Sequence, residues 1–506
     1  MKYLFIHQNF PGQFGAIADH LAKQKGNEVL ALRLRRDAAD VPSVSIVHYR
    51  LLHEPLEDQL PLLKETEAKI VRAEAVAEAA ARLKQRGWSP DVIVAHPGWG
   101  EALYIKDVWP HAKLVCYFEY FYHPSGQDFN FDPEFKDHSI AARAALKAKN
   151  AVILQALEDA DIGWTPTHWQ RSLHPAWAQG KIAVIDEGVD LEFFKPNPKA
   201  SFSIQNKGVH LTGKDEVITF AARSLEPVRG FHVFMRALPN ILRRRPHAHV
   251  IIMGNDAPSY GPGPVAHASW LQKMLAEVGS QLDPQRVHIV GFLPREQYRA
   301  VLQVSSAHVY LTYPFVLSWS VMDAQACGAT LVASDTQPLR EALPPGAEGY
   351  LFDYFDTTDM VVKLEAALNR TQKEKDKARQ VALSWIAERH ARQLSLSSLV
   401  ALLTGKGKAW QKPAHSESAG AKKIRPTTAP KRQGASLETA RNAGAVGTAK
   451  AKVGVLAKSA KAGSAKPAKA APKTSKKQVT GAGKSTPSGA AKKAVKAVGK
   501  SIASKR

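Results

Sequence analysis

Cysteine is nearly absent: the 506 residues hold two, Cys116 and Cys327. They could form one disulfide at most. Both lie in apolar stretches, LVCYF and AQACG, that read as buried free thiols of a reducing compartment. No run of about 18 apolar residues occurs, so no transmembrane helix is expected. The opening MKYLFIHQNF has too short an apolar run for a signal peptide and reads as a first strand. No Gly-x-Gly-x-x-Gly follows that strand, and no acidic partner stands about 20 residues on, which argues against an NAD-dependent enzyme. No His/Cys/Asp group has metal-ligand spacing, and Asp159-Ala160-Asp161 reads as a solvated helix end. No metal or other cofactor is therefore expected.

Net charge is lacking too, until the last fifth of the chain. The formal charge of +23 lies wholly in residues 405–506, which carry 21 Lys, 4 Arg and 2 Glu. Residues 1–404 hold 44 basic and 44 acidic side chains, so the high isoelectric point describes the tail alone. The tail is rich in Lys, Ala, Gly, Ser, Pro and Thr, and its last aromatic is Trp410. Such a composition cannot bury enough apolar surface to offset ordering entropy, so disorder is expected. Three readings of it are open: a nucleic-acid-binding arm, an anchor to an anionic membrane, and a solvated extension without a role.

What the body does have is alternation. Apolar strands at Tyr3–Ile6, Glu28–Leu32, Val44–His48, Asp91–Ala95 and Leu114–Phe118 are interleaved with helices. The helices are placed near 14–25, 62–86 and 139–160. Leu63, Ile70, Ala77 and Ala81 are expected on the inner face of the second. Short apolar strands alternating with helices predict a parallel sheet covered on both faces. Residues 196–213 are polar without a clear period and read as a linker. The alternation restarts at Glu216–Ala221, His249–Met253, Val287–Val290, His308–Thr312 and Thr330–Ala333. The expected organisation is α/β, with doubly wound parallel-sheet domains at 1–195 and 214–372 and closing helices at 373–404. In such sheets a ligand sits at the carboxyl ends of the strands.

Two loops there carry chemistry. Ala222-Arg223-Ser224-Leu225-Glu226-Pro227-Val228-Arg229-Gly230 joins a strand to a helix. Its two arginines can converge on a diphosphate, aided by the helix N-terminus. Equally, they are solvated, with Glu226 pairing one of them. The second loop, Phe315–Gly328, contains Ser318-Trp319-Ser320, whose N–H groups could take a phosphate. Asp323, one turn into the helix, could hold a ribose or be a plain first-turn acid.

With these residues, the Asn9–Phe14 loop, His96-Pro97-Gly98-Trp99-Gly100-Glu101, Trp164-Thr165-Pro166-Thr167 and Glu187-Gly188-Val189-Asp190, the chain resembles the retaining glycosyltransferases of family 4, group 1. The resemblance covers roughly residues 1–395 and implies the GT-B fold, with two Rossmann-like domains. It implies a nucleotide-sugar donor and a saccharide or lipid-linked acceptor, without a metal. The cysteine usage points to a cytoplasmic protein, and the basic tail leaves a peripheral place at the inner membrane face open. Arg223 and Arg229 take the positions of the pair that neutralises the diphosphate. Asp323 takes that of the acid on the ribose, and the amides of Ser318, Trp319 and Ser320 that of the distal-phosphate loop. Gly12 approaches the diphosphate from the first domain, Phe292 and Leu293 line the base, and His96 lies by the reacting sugar. Glu101 reads as an acceptor-side acid or a first-turn acid. Glu119, followed by Tyr120-Phe121-Tyr122-His123, reads as an acceptor-facing group or part of an aromatic core. Two positions depart from the family pattern. Phe315 stands where a glutamate contacts the sugar, and Asp323 is one methylene shorter than the usual glutamate. The alternative function is a non-catalytic nucleotide-sugar-binding protein.

Overall fold

A computed structural model describes residues 1–406 except 258, 262, 345, 348 and 349. The tail beyond 406, and the expectation of disorder placed on it, lie outside the described residues. A seven-stranded sheet forms from β1 (Lys2–Ile6), β2 (Glu28–Arg33), β3 (Ser45–His48), β4 (Val92–Ala95), β5 (Lys113–Tyr117), β6 (Ile162–Thr165) and β7 (Ile182–Val184). Its order is β3-β2-β1-β4-β5-β6-β7, and every pairing is parallel. After an antiparallel hairpin, β8 (Ser201–Ile204) and β9 (Val209–Thr212), a second sheet follows. It contains β10 (Val217–Ser224), β11 (His249–Asn255), β12 (Val287–Gly291), β13 (Ala307–Tyr310), β14 (Thr330–Ser334) and β15 (Leu351–Phe352), in the order β12-β11-β10-β13-β14-β15. The strands are buried on both faces: Leu4, Phe5, Ile93, Val94, Ile218 and Ile252 are each 0–1% exposed. That burial is why they read as continuous apolar runs.

In both sheets the strand order reverses once, between β1 and β4 and between β10 and β13. Those reversals open crevices at the carboxyl edges, where ligands bind in sheets of this kind. The loops singled out in the sequence leave from these four strands: His7–Gly12 after β1, His96 after β4, Arg223–Gly230 at the end of β10 and Leu311–Ser320 after β13.

Three local expectations need correction. Residues 196–213 are not a bare linker, because the hairpin lies among them. Phe202, Ile204 and Leu211 pack with Val217, Ile251 and Val301 of the second domain, while Ser201 and Ser203 face outward. The helix Lys64–Gln85 buries Lys69, Ala73, Val76 and Ala80, whereas Leu63 and Ile70 are exposed. These buried positions recur at spacings of 4, 3 and 4, as one face of a helix does, and the larger apolar side chains of Leu63 and Ile70 misled the reading. Finally, the closing helices part company. Gln372–Arg389 stays with the second domain, with Ile386 in its core. Arg392–Thr404 returns to the first, where Leu399, Leu402 and Leu403 pack beside Phe14, Ile17 and Trp164. Lys113 Nζ donates to the carbonyls of Leu402 and Leu403 at that helix end, at 2.7 and 3.2 Å. Cys116 and Cys327 are both buried and unbridged.

Candidate active site

The first-domain half is built on two histidines. The backbone N–H of Asn9 donates to His7 Nδ1 at 3.0 Å and shapes the loop after β1. Gly12 has φ of 46°, and a Cβ there would lie 3.0 Å from the His7 ring, so the loop folds tightly over that ring. Burial, with His96 nearby, pushes His7 down to about 3 and keeps it neutral. After β4, the N–H of Gly98 donates to His96 Nδ1 at 3.2 Å. A backbone N–H can only donate, so the neutral imidazole carries its proton on Nε2. That atom lies 3.2 Å from Glu119 Oε2, and Gln13 Nε2 donates to Glu119 Oε1 at 3.0 Å. Burial alone would raise the Glu119 carboxyl, but the bonds from His96 and Gln13 outweigh it and hold the group below its ordinary value. His96 is 4% exposed and both its nitrogens are occupied. The Glu119 side chain is 27% exposed, so the polar surface at this strand end is Glu119, with His96 behind it.

Glu101 is not on that surface. It is 1% exposed, and its carboxylate accepts from Gln8 N–H at 2.9 Å and from the Tyr49 hydroxyl. Burial pushes it up to about 7. It braces the β1 and β3 loops, and an acceptor could not touch it in this arrangement.

The second-domain half centres on two arginines in unequal settings. Arg223 is exposed and makes no hydrogen bond or ion pair with the described residues. Arg229 is half-buried. Its Nη1 donates to Val316 O at 2.7 Å and to Thr312 Oγ1 at 3.1 Å, with Tyr310 OH at 3.5 Å. Tyr310 OH also accepts from Ser318 N–H at 2.9 Å, which ties the arginine to the phosphate-loop candidate. Glu226 pairs with neither arginine. It is buried and accepts from Ser259 N–H, Ser259 Oγ and Tyr260 N–H at 3.2, 2.8 and 3.0 Å. Gly230 closes the loop with φ of 69°, and a Cβ there would stand 2.2 Å from Leu311 Cβ, so only glycine fits.

Among the remaining candidates, Trp319 is 57% exposed and Phe292 71%. Ser320 begins the helix Ser320–Cys327, and its Oγ lies 3.2 Å from Ser318 Oγ. Leu293 packs on the second-domain core. Asp323 sits in the helix's first turn and receives the Tyr298 hydroxyl at 3.2 Å. Burial outweighs that bond and pushes Asp323 up to about 7. Phe315 is 8% exposed, with its ring 4.8 Å from Tyr120, 4.2 Å from Tyr260 and 5.5 Å from the Arg229 guanidinium carbon. The Tyr120 and Tyr260 hydroxyls both donate to Asp128, at 2.8 and 3.0 Å.

The two halves therefore meet. His96 bonds Glu119, the next residue Tyr120 packs on Phe315, and Phe315 lies over Arg229. A segment between β5 and the helix Ile140–Asp159 reinforces the junction. Its Asp132 is buried in the second domain and accepts from His232 Nε2 at 2.9 Å and Tyr313 OH at 2.7 Å. Glu134 pairs with Arg236 at 2.7 Å and Lys273 at 3.2 Å. Gln13, Asp128, Asp132, Tyr260, Tyr298 and Tyr310 were not singled out in the sequence. They act on partners far away along the chain, and no local pattern marks them. Among the described residues, no group of three or more His, Cys, Asp or Glu could hold a metal ion.

Two doubly wound domains, each with its polar residues at a strand-order reversal, define the GT-B class of two-domain proteins. Residues 25–194 match the model of the glycosyl transferase family 4 group, and residues 215–370 match that of the glycosyl transferases group 1. The chain belongs to the family 4, group 1 glycosyltransferases. A D-inositol 3-phosphate glycosyltransferase of Thermobispora bispora is 27% identical over 225 residues, 44% of this chain and 49% of that protein. The chain thus spans about half the length of the curated relatives it matches. HepE of Anabaena, solved with UDP and glucose, superposes with a TM-score of 0.57 at 13% identity, over 80% of this chain and 100% of that one. Sucrose-phosphate synthase from Thermosynechococcus elongatus gives 0.60 at 15% identity, over 80% and 98%. At these identities the solved structures speak to the fold.

Proposed function

We propose that this chain transfers a sugar from a nucleotide diphosphate sugar to an acceptor hydroxyl, with retention at the anomeric carbon and without a metal. The observation that carries the reading is the continuous contact from His96 and Glu119 through Tyr120 and Phe315 to Arg229. It joins a polar strand edge of one domain to the arginine loop of the other. Departure of the nucleoside diphosphate builds negative charge on its β-phosphate. Arg223, whose side chain has no partner among the described residues, and the half-occupied Arg229 stabilise that charge, together with the amides at Trp319 and Ser320. The acceptor oxygen bonds the anomeric carbon on the face the phosphate leaves, and its proton passes to the leaving phosphate oxygen. Glu119 faces the acceptor, and His96 positions it through the Nε2 bond. Asp323 and Tyr298 hold the ribose. Phe315 gives the sugar an aromatic neighbour in place of a carboxylate, which favours a donor sugar with an apolar face there. The named relatives and the UDP complex of HepE support a nucleotide-sugar donor. A saccharide or lipid-linked acceptor of a cell-surface pathway, at the cytoplasmic side of the membrane, fits the same reading. The test is a thermal-shift panel of UDP-, GDP- and ADP-sugars on the full chain, then assay of nucleoside diphosphate release and NMR of the product anomer. One donor class should stabilise the protein and be turned over with its anomeric configuration kept. Stabilisation without release would leave a nucleotide-sugar-binding protein, and no stabilisation by any donor would overturn both.

A further inference from the structure

A cavity of about 770 Å³ lies one strand away from the arginine loop. Its walls come from the segment after β5, including Phe129, Lys136 and His138, from Arg143 of the helix Ile140–Asp159, and from Pro314, Thr336 and Gln337 of the second domain. It thus opens at the carboxyl edges of β5, β13 and β14, where sheets of this kind receive ligands. Its size suits a small saccharide. Pro314 adjoins Phe315, and its carbonyl oxygen lies 3.2 Å from the Tyr120 hydroxyl, so this contact separates the cavity from the arginine loop.

The charge of the cavity is one-sided. The Lys136 and Arg143 side chains are exposed and make no hydrogen bond or ion pair among the described residues. The one carboxylate on the wall, Asp335, is held by Arg340 through two bonds of 2.5 Å. The rest of the lining suits a sugar. Phe129 is half-buried and makes no ring contact among the described residues. Gln337 uses its carbonyl oxygen on Trp169 Nε1 at 3.0 Å, which leaves its amide N–H groups to face a ligand.

We propose that this cavity binds an anionic saccharide unit of the acceptor. Lys136 and Arg143 hold the phosphate or carboxylate, Phe129 lies under the ring, and the Gln337 amide bonds a hydroxyl. The inference deepens the transferase reading and rests on it. The test is isothermal titration of the full chain with glucose 6-phosphate, glucuronate, glucose and inorganic phosphate, beside the double variant K136A/R143A. Both side chains are exposed, so the variant should fold. Either anionic sugar should bind at least tenfold tighter than glucose and than inorganic phosphate. The variant should lose that preference and bind UDP as the parent does. Anionic sugars binding no tighter than glucose, or a variant that keeps the preference, would overturn the proposal. Inorganic phosphate binding as tightly as the sugar phosphate would reduce the cavity to an anion site and overturn its saccharide part. Failure of UDP to bind the parent would instead overturn the donor reading, and the sugar titrations distinguish the two.

Discussion

At the scale of single residues, the two arginines separate binding chemistry from structural support. The Arg223 side chain has no partner to lose among the described residues, so Arg223→Ala should leave the melting temperature unchanged. Turnover should fall by roughly 10²–10³-fold, the usual effect of removing one preorganised charge stabiliser. Normal turnover in that variant would remove it from the mechanism. Arg229→Ala should lower both turnover and stability, since Nη1 holds Val316, Thr312 and Tyr310 in place. The stability loss, read from urea unfolding, should be roughly 1–3 kcal/mol. Glu101 offers a pH test. Its folded value is pushed from 4.5 to about 7, so between those values the folded state keeps a proton that the unfolded state releases. Its contribution to stability therefore declines as pH rises through that window. His7, pushed down to about 3, works in the opposite sense below 6.5, so only a comparison with a variant isolates Glu101. Relative to Glu101→Gln, the parent should lose up to ~3 kcal/mol between pH 4.5 and 8, at about 1.36 kcal/mol per pKa unit. Parallel stability curves for the two proteins would refute this account of Glu101.

At the scale of elements, the Pro227–Gly230 turn is the part with least freedom. Gly230→Ala forces a left-handed backbone on a side chain and drives its Cβ into Leu311. A loss of at least about 2 kcal/mol is expected, with weakened donor binding because Arg229 precedes the turn. Unchanged urea unfolding would show that the turn relaxes freely. This turn was legible in the sequence because its signals are local: an apolar strand, two arginines, a proline and a glycine in one loop. Ten of the thirteen strands of the two parallel sheets were legible for the same reason, since burial on both faces leaves continuous apolar runs, whereas the short β6, β7 and β15 were not read. What was not legible is what acts across the chain. The hairpin at 201–212 hid because its apolar residues are few and alternate with serines. The inner face of Lys64–Gln85 hid because its buried residues are alanines, two valines and one lysine, while the larger Leu63 and Ile70 are exposed. Asp128 and Asp132 look like ordinary loop acids, and only the fold brings Tyr260, His232 and Tyr313 to them. Glu101 was the reverse case, a loop acid with a plausible substrate role that the fold turned inward to Tyr49.

At the scale of the whole molecule, charge separates the chain into a neutral body and a basic tail, and the two should be separable in function. The site residues are all within 1–404, where 44 basic and 44 acidic side chains cancel. A body of zero net charge gives little long-range attraction to a polyanion, whereas the tail's 25 cations release counterions from any dense array of negative charge. Removing residues 407–506 should therefore leave donor turnover within about twofold of the full chain, while binding to duplex DNA and to anionic vesicles falls sharply. For the full chain, affinity should drop steeply and linearly on a log–log plot as salt is raised, with no preference among DNA sequences. The comparison of DNA with vesicles decides which partner the tail serves. Beyond the last aromatic, Trp410, it has no large ring to enter a bilayer interface, so vesicle binding should track lipid charge alone. Polyanion binding that survives the deletion would move the basic surface onto the body. The wall formed by Lys136 and Arg143 would then be the place to look for it.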